Sequence, residues 1–184
     1  MKVIGLSQNI LYHNGRAYDS TEHGWYSFLR GHTLFYLPNN LNQDFDHIAD
    51  SLDCLILTGG NDSNLRRTVE TKLASKVMQR NKPVIGICHG AFLLTELLGG
   101  TIIDVDAHTN TKHPVLYFGE IKEVNSHHSL GIEKVHTTGT VLCTDELGHV
   151  EAFIDKKLAG VVWHPERMDN PWIPDEIHTL IFGE

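Results

Sequence analysis

The stretch "PVIGICHGAF", residues 83–92, decides how the rest of the chain is read. An apolar run from Pro83 to Ile87 stops on Cys88, with Gly86 and Gly90 two residues to either side, and helix-forming residues follow in "AFLLTELL". A short apolar run bounded in this way reads as a buried strand that turns abruptly into a helix. G-x-C-x-G at such a junction is the thiol form of a nucleophile elbow, where small neighbours leave room for a sharply turned backbone. The helix N-terminus carries positive partial charge, which favours thiolate over thiol, and it offers the backbone N–H of His89 as an oxyanion donor. A buried structural thiol in a glycine-rich βα turn would look the same. The motif alone does not separate the two.

Outward from this junction the pattern repeats. "CLILTGG" (54–60) is a near-continuous apolar run ended by two glycines, the mark of a strand buried on both faces. Residues 65–80 carry Leu65, Val69, Leu73 and Val77 at fourfold spacing, which predicts an amphipathic helix that Pro83 closes. "KVIGLS" (2–7) and "TLFYLP" (33–38) read as strands. Between them Asp19 and Glu22 have capping-box spacing ahead of a short helix whose apolar face is Trp25, Phe28 and Leu29. Residues 89–98 form a helix stopped by Gly99 and Gly100. This β-α alternation predicts a parallel sheet covered on both faces. The second half differs: "FGEIKEV", "EKVHTTGTVLCT", "HVEAFI" and "LAGVVWH" are short β-like runs between turn residues, before a last helix around 174–182. The expected fold is therefore α/β, a flavodoxin-like three-layer sandwich with a mostly parallel central sheet and a β-rich excursion in the second half. Ligands bind beyond the carboxyl ends of strands in such sheets, and Cys88, Gly59–Gly60 and His164 all fall at strand ends.

Bulk properties set the limits. The 184 residues show no linker, repeat or low-complexity segment, so one domain spanning 1–184 is expected. A net charge of −8 argues against a nucleic-acid partner, and no apolar run is long enough to imply a membrane span. Three cysteines without a C-x-x-C pair, and no signal-peptide pattern, fit a cytoplasmic protein, with Cys54 and Cys143 as buried spacers. The thirteen histidines are scattered without zinc-site spacing. His127 and His128 are adjacent, but neighbours on a strand project to opposite faces, so neither a metal nor any other cofactor is expected.

A thiolate nucleophile needs a base. His164 in "GVVWHPER" ends an apolar strand as Cys88 does, and Glu166 two residues on can fix its tautomer if the segment is extended. In isolation H-P-E would be a surface turn with a solvated charge, and the elbow cysteine upstream reverses that judgement. The glycines of "LTGGNDSN" let the backbone approach a ligand closely, and the Gly60 N–H can complete an oxyanion hole with His89. A plain strand-to-loop turn would also use Gly-Gly. "EVNSHHSLGIE" ends a strand in a polar cluster, Asn125 to Ser129, too dense for an ordinary turn. Arg66 and Arg67 open a helix after the glycine loop, where they can meet an anionic leaving group or simply be solvated.

Together these residues resemble the class I glutamine amidotransferase-like superfamily. "GICHGAF" is similar to its nucleophile elbow, "LTGGND" to its oxyanion strand, and "GVVWHPE" to its catalytic His-x-Glu. "VNSHHSLGI" is similar to the segment whose backbone holds the α-amino-acid end of a glutamyl substrate. The motifs lie in the expected order from residue 54 to Glu166. "GGND", "VNSHHSLGI" and "WHPER" most resemble the gamma-glutamyl hydrolases, and "IGLSQNI", "GGNDSNLRRTVE" and "WHPERM" resemble a compact subgroup, the gamma-glutamyl-CDP-amidate hydrolases. His89 and Ala91 depart from the common elbow, which bears on substrate fit more than on chemistry.

The resemblance implies a hydrolase that cleaves a small-molecule gamma-glutamyl amide through a thioester. Cys88, His164 and Glu166 would be catalytic, and the N–H groups of Gly60 and His89 would hold the oxyanion. Gly59, Asn61, Asn125, Ser126, His127 and His128, with Arg66 and Arg67, would meet the substrate, and Glu22 and Trp25 would edge the pocket. Two other readings stand beside it. One is a glutaminase subunit delivering ammonia to a separate synthase partner. The other is a non-catalytic binding or redox-sensing module. A homodimer is compatible with each.

Overall fold

A computed structural model describes residues 1–106 and 108–183. The chain opens with β1 (Val3–Ser7), a hairpin of β2 (Asn9–His13) and β3 (Arg16–Ser20), α1 (Gly24–Phe28), β4 (Thr33–Leu37) and α2 (Phe45–Ser51). The central units follow: β5 (Cys54–Leu57), α3 (Asn64–Gln79), β6 (Val84–Ile87) and α4 (His89–Leu97). The excursion comprises β7 (Thr101–Asp104), β8 (Thr109–Tyr117), β9 (Glu120–His127), β10 (Leu130–Lys134), β11 (Thr140–Thr144) and β12 (Val150–Asp155). The chain then returns through β13 (Leu158–Val161), a 3-10 turn at Pro165–Arg167 and α5 (Asp175–Phe182).

The main sheet runs β4-β1-β5-β6-β13 with every neighbour parallel, and continues antiparallel through β12, β11, β8 and β9, while β10 and β7 branch from β12. The expected α/β fold with a parallel centre and a β-rich second half is thus present. β5 and β6 are buried at every position, as strands covered on both faces must be. The apolar core centres on them and takes in Leu73 and Val77 from α3, Leu94 from α4 and Ile177 from α5. Ser63 caps α3 by accepting a hydrogen bond from the Arg66 N–H, and Asp44 caps α2 in the same way.

The early segment departs from expectation. Asp19 and Glu22 form no capping box, because residues 16–20 are a strand and α1 begins after His23 without a side-chain cap. Asp19 instead accepts from Asn39, and Glu22 pairs with Arg167. The β2–β3 hairpin turns on Asn14 and Gly15, at φ 49° and 71°. Asn-Gly is the strongest short hairpin signal, and it was present in "YHNGRAY".

Strand register brings the site together. Ile87 aligns with Val161, Gly86 with both Gly160 and Leu57, and the Cys88 N–H donates to the Val161 carbonyl at 2.8 Å. Cys88, the Thr58–Gly60 turn and the segment leading to His164 therefore leave the sheet at one end.

Candidate active site

Cys88 has φ 50° and ψ −107°, a conformation that L-residues other than glycine rarely adopt, and it caps the N-terminus of α4. The two flanking glycines are explained by packing. A side chain at Gly86 would strike the backbone of Gly90, and one at Gly90 would strike the backbone of Leu57. The strained turn is held where the first turn of α4 comes too close to β5 and β6 to admit a Cβ. Cys54 and Cys143 are buried free thiols whose ionisation burial pushes up to about 12, so Cys88 alone among the three has a setting suited to reaction.

His164 follows β13 and leads into the 3-10 turn, which Pro165 opens. Its Nδ1 lies 2.7 Å from the Glu166 carboxylate, and both side chains are almost fully buried. The pair meets because the chain turns after His164, whereas the sequence suggested an extended segment; Pro at the first helical position favours this turn. Burial alone would lower the imidazole pKa, but the influence of the Cys88 thiol and the Glu166 carboxylate outweighs it and raises it to about 9. A thiol, an imidazole and a carboxylate in this relay can form an attacking thiolate, pass a proton to a leaving group and activate water.

Asn125 explains why His164 sits where it does. Its Oδ1 accepts from the His164 N–H at 2.8 Å and its Nδ2 donates to the His164 carbonyl at 2.7 Å. Both ends of its amide are spent on the backbone of His164, so this side chain positions the imidazole, while the substrate contact expected of the segment is one made by its backbone. His127 packs its ring against His164 with centroids 5.7 Å apart. Burial, then the charges of Arg167 and His164, lower its pKa. Ser126 and His128 are buried beside His108, so their side chains are not presented to a ligand. β9 ends the sheet order, and its outer backbone edge is left unpaired by β8. Backbone recognition along this edge remains open to a ligand.

Arg66 is the second correction. It was expected either to meet an anionic leaving group or to be solvated, but it is fully buried. Its guanidinium donates to the carbonyls of Thr58 at 2.6 Å, Asn61 at 3.1 Å and Gly59 at 3.2 Å, and to Glu70 at 2.9 Å. The other Glu70 oxygen lies 2.9 Å from Nε2 of His89. One buried network therefore joins the glycine turn to the first residue of α4. The side chain of His89, the departure from the common elbow, is its link to the nucleophile. Arg67 stays at the surface, paired with Glu96 at 2.5 Å.

A cleft of about 180 Å³ beside the site is lined by Asn9, Glu22, Trp25, Gly59, Glu166 and Arg167, among others. Glu22 and Trp25 were expected at its edge. Asn9 and Arg167 were not, although Arg167 stands in "WHPER" and Asn9 belongs to the hairpin that strand patterning did not bring out. Asn9 accepts from the Asn61 N–H at 2.9 Å, tying the hairpin to the glycine turn. Arg167 holds Glu22 through two nitrogens, one at 2.8 Å, and this hydrogen bond is the main reason the Glu22 carboxyl stays below its usual range.

A cysteine on a strained turn between a parallel strand and a helix N-terminus, with a His-x-Glu segment leaving the neighbouring strand at the same end of the sheet, defines an α/β fold with a candidate thiol site. The family model for class-I glutamine amidotransferases matches residues 20–179, and the chain belongs to that family. A candidate glutamine amidotransferase-like protein, YvdE of Lactococcus lactis, is 23% identical over 178 residues, covering 74% of this chain and 75% of that protein. A glutamine-hydrolysing GMP synthase of Corynebacterium jeikeium is 26% identical over 149 residues, 73% of this chain but only 27% of the synthase. Among solved structures, a candidate GMP synthase subunit from Thermoplasma acidophilum superposes with a TM-score of 0.76 at 19% identity, over 100% of this chain and 93% of that one. Among the described residues, no helix is long and apolar enough to cross a membrane.

Proposed function

We propose that the chain is a free-standing cysteine hydrolase that releases glutamate from a gamma-glutamyl amide, in the manner of the gamma-glutamyl hydrolases. The observation that carries this is Cys88 on its strained turn at the end of the sheet where His164 also emerges, with the His164 imidazole held through Nδ1 by buried Glu166. In this reading the Cys88 thiolate attacks the gamma-carbonyl carbon, and the oxyanion rests on the N–H groups of Gly60 and His89. Collapse breaks the C–N bond, and His164 gives its proton to the departing nitrogen. Water then attacks the thioester and leaves a proton on His164; the C–S bond breaks, giving glutamate and the thiolate. Glu22 and Arg167, one anion and one cation at the cleft, complement the ammonium and carboxylate of the glutamyl group. The gamma-glutamyl nucleotide amidates are the substrate class that the subgroup resemblance favours.

The test is glutamate release by the purified chain from glutamine, gamma-glutamyl amines and gamma-glutamyl nucleotide amidates, beside Cys88→Ala. Turnover by the wild type and a loss of about 10⁵–10⁶ in the variant are expected, as for other covalent triads. Near-normal release by Cys88→Ala would sink the mechanism. The match to part of a GMP synthase favours a second reading, a glutaminase that serves a separate synthase. A chain that hydrolyses no substrate alone but reacts at Cys88 with a glutamine antagonist would support it.

A further inference from the structure

The β-rich excursion gathers a second set of chemically potent side chains, distinct from Cys88, His164 and Glu166. His108 precedes β8, His113 lies on β8, His128 follows β9 and Glu151 lies on β12. One donor atom from each lies within 4.8 Å of the other three. Glu151 and His128 are almost completely buried, and His108 and His113 are only slightly exposed at the side chain.

The hydrogen-bond partners fix where the imidazole lone pairs point. His128 Nδ1 lies 2.7 Å from the Leu130 carbonyl, and His113 Nδ1 lies 3.2 Å from the Pro114 carbonyl. A carbonyl only accepts, so both Nδ1 atoms carry the hydrogen and both Nε2 atoms present lone pairs. His108 Nε2 faces the Asp145 carboxylate at 3.6 Å, which leaves its Nδ1 as the lone-pair nitrogen. His113 Nε2 lies 3.7 Å from Glu151 Oε2, and His128 Nε2 lies 4.0 Å from Glu151 Oε1. Among the described residues, His108 Nδ1, His113 Nε2 and Glu151 Oε2 have no hydrogen-bond partner. Ser126 Oγ is 3.0 Å from His128 Nε2, but its one hydrogen is better placed for the His108 carbonyl at 2.6 Å.

Three lone pairs and a carboxylate thus converge in a space closed to water, where each unpartnered group is costly. A cation at the centre would satisfy all four at once. We infer that His108, His113, His128 and Glu151 form a closed four-donor site for a divalent transition metal, with zinc the best match. Imidazole and carboxylate donors suit zinc, and four protein ligands with no open position mark a structural site. Each histidine already has the outer partner typical of a metal ligand, a backbone carbonyl or a carboxylate on its other ring nitrogen. Zinc bonds of ~2.0 Å place tetrahedral donors roughly 3.3 Å apart, so donors now within 4.8 Å of one another would draw together by up to about 1.5 Å on binding. The metal would staple β8, β9 and β12 together. Through His128, which packs on Phe92 of α4, and through His127 and Asn125, it would fix the strand that positions His164.

The experiment uses full-length protein without a histidine tag, stripped with chelator and titrated with Zn²⁺ or Co²⁺ alone. One metal per chain is expected, with the intense visible absorption of tetrahedral Co²⁺, and a melting temperature that rises with zinc concentration. His113→Ala and Glu151→Gln should lose the cobalt band, and Asp145→Asn should weaken binding about 10–100-fold. His13→Ala, on the exposed hairpin, should bind normally. No stoichiometric metal in the wild type would overturn the site, as would unchanged binding in both ligand variants. Because the readout is metal content and colour, failure here is separate from failure of the amide-hydrolase reading.

Discussion

Two buried polar clusters lie on either side of the active site, and they are built on opposite terms. Under the glycine turn, Arg66, Glu70, His89 and Ser7 are fully interlocked: Glu70 takes hydrogen bonds from Ser7 at 2.6 Å, Arg66 at 2.9 Å and His89 at 2.9 Å. In the excursion, among the described residues, Glu151 has an oxygen without a partner, and two of the histidines around it each have a ring nitrogen without one. Ionisation follows the same division. Burial disfavours both carboxylates, but the bonds from His89 and Arg66 reverse this at Glu70 and hold its pKa low. At Glu151 nothing opposes burial, to which Asp145 adds, and the pKa rises to about 8. A closed network needs nothing further, whereas an open one is stable only when something else completes it. The same substitution in each cluster should expose the difference.

The largest effect on stability is expected at Glu70→Gln. The amide leaves the fully buried Arg66 guanidinium without its counter-charge, and breaking such a pair costs about 3–5 kcal/mol. Urea denaturation at neutral pH measures it. Since the Glu70 pKa is lowered from 4.5, its contribution is present above that value and fades as pH falls. A loss below about 1 kcal/mol would mean that the network does not hold the glycine turn as the distances imply.

How legible these clusters were depends on how far apart their members stand in sequence. The elbow was readable because Gly86, Cys88 and Gly90 are neighbours, and because strand and helix periodicities change at that point. His164 and Glu166 were readable for the same reason, although the turn that joins them was not. Arg66 was visible only as a charge at the start of a helix. That it faces inward depends on Glu70 one turn on and on carbonyls from another strand end. The histidine set was invisible to any spacing rule, because Glu151 stands 43 positions after His108 and β11 intervenes between their strands. Antiparallel pairing of β8 with β9 brings Thr109 opposite His127, and only then do the rings meet.

The His164–Glu166 pair is intermediate: one Glu166 oxygen is bonded to the imidazole, and the other has no partner among the described residues. Its pH dependence should be intermediate as well. The folded pKa of His164 is raised from 6.5 to about 9, so the folded chain binds the extra proton between these values. Stability from this group is complete below pH 6.5 and is lost as pH rises through about 9, by an amount of order 3 kcal/mol. An NMR titration of the His164 ring, in the wild type and Cys88→Ala, checks the cause. Removing the thiol partner should lower the imidazole pKa, and an unchanged value would assign the whole effect to Glu166.

The smallest effect is expected where the same Glu-to-Gln change is made in the open cluster. In chelated protein, Glu151→Gln keeps the volume of the side chain and takes no partner from Oε2, which has none among the described residues, so it should cost no more than about 1 kcal/mol. Adding zinc should separate the two proteins: the wild type gains stability with metal concentration, and the variant gains little because an amide is a poor ligand. The contrast with Glu70→Gln is then a matter of what completes each cluster, protein donors in one and a cation in the other. A Glu151→Gln loss as large as that at Glu70, in the absence of metal, would show that the excursion is already closed by protein contacts alone.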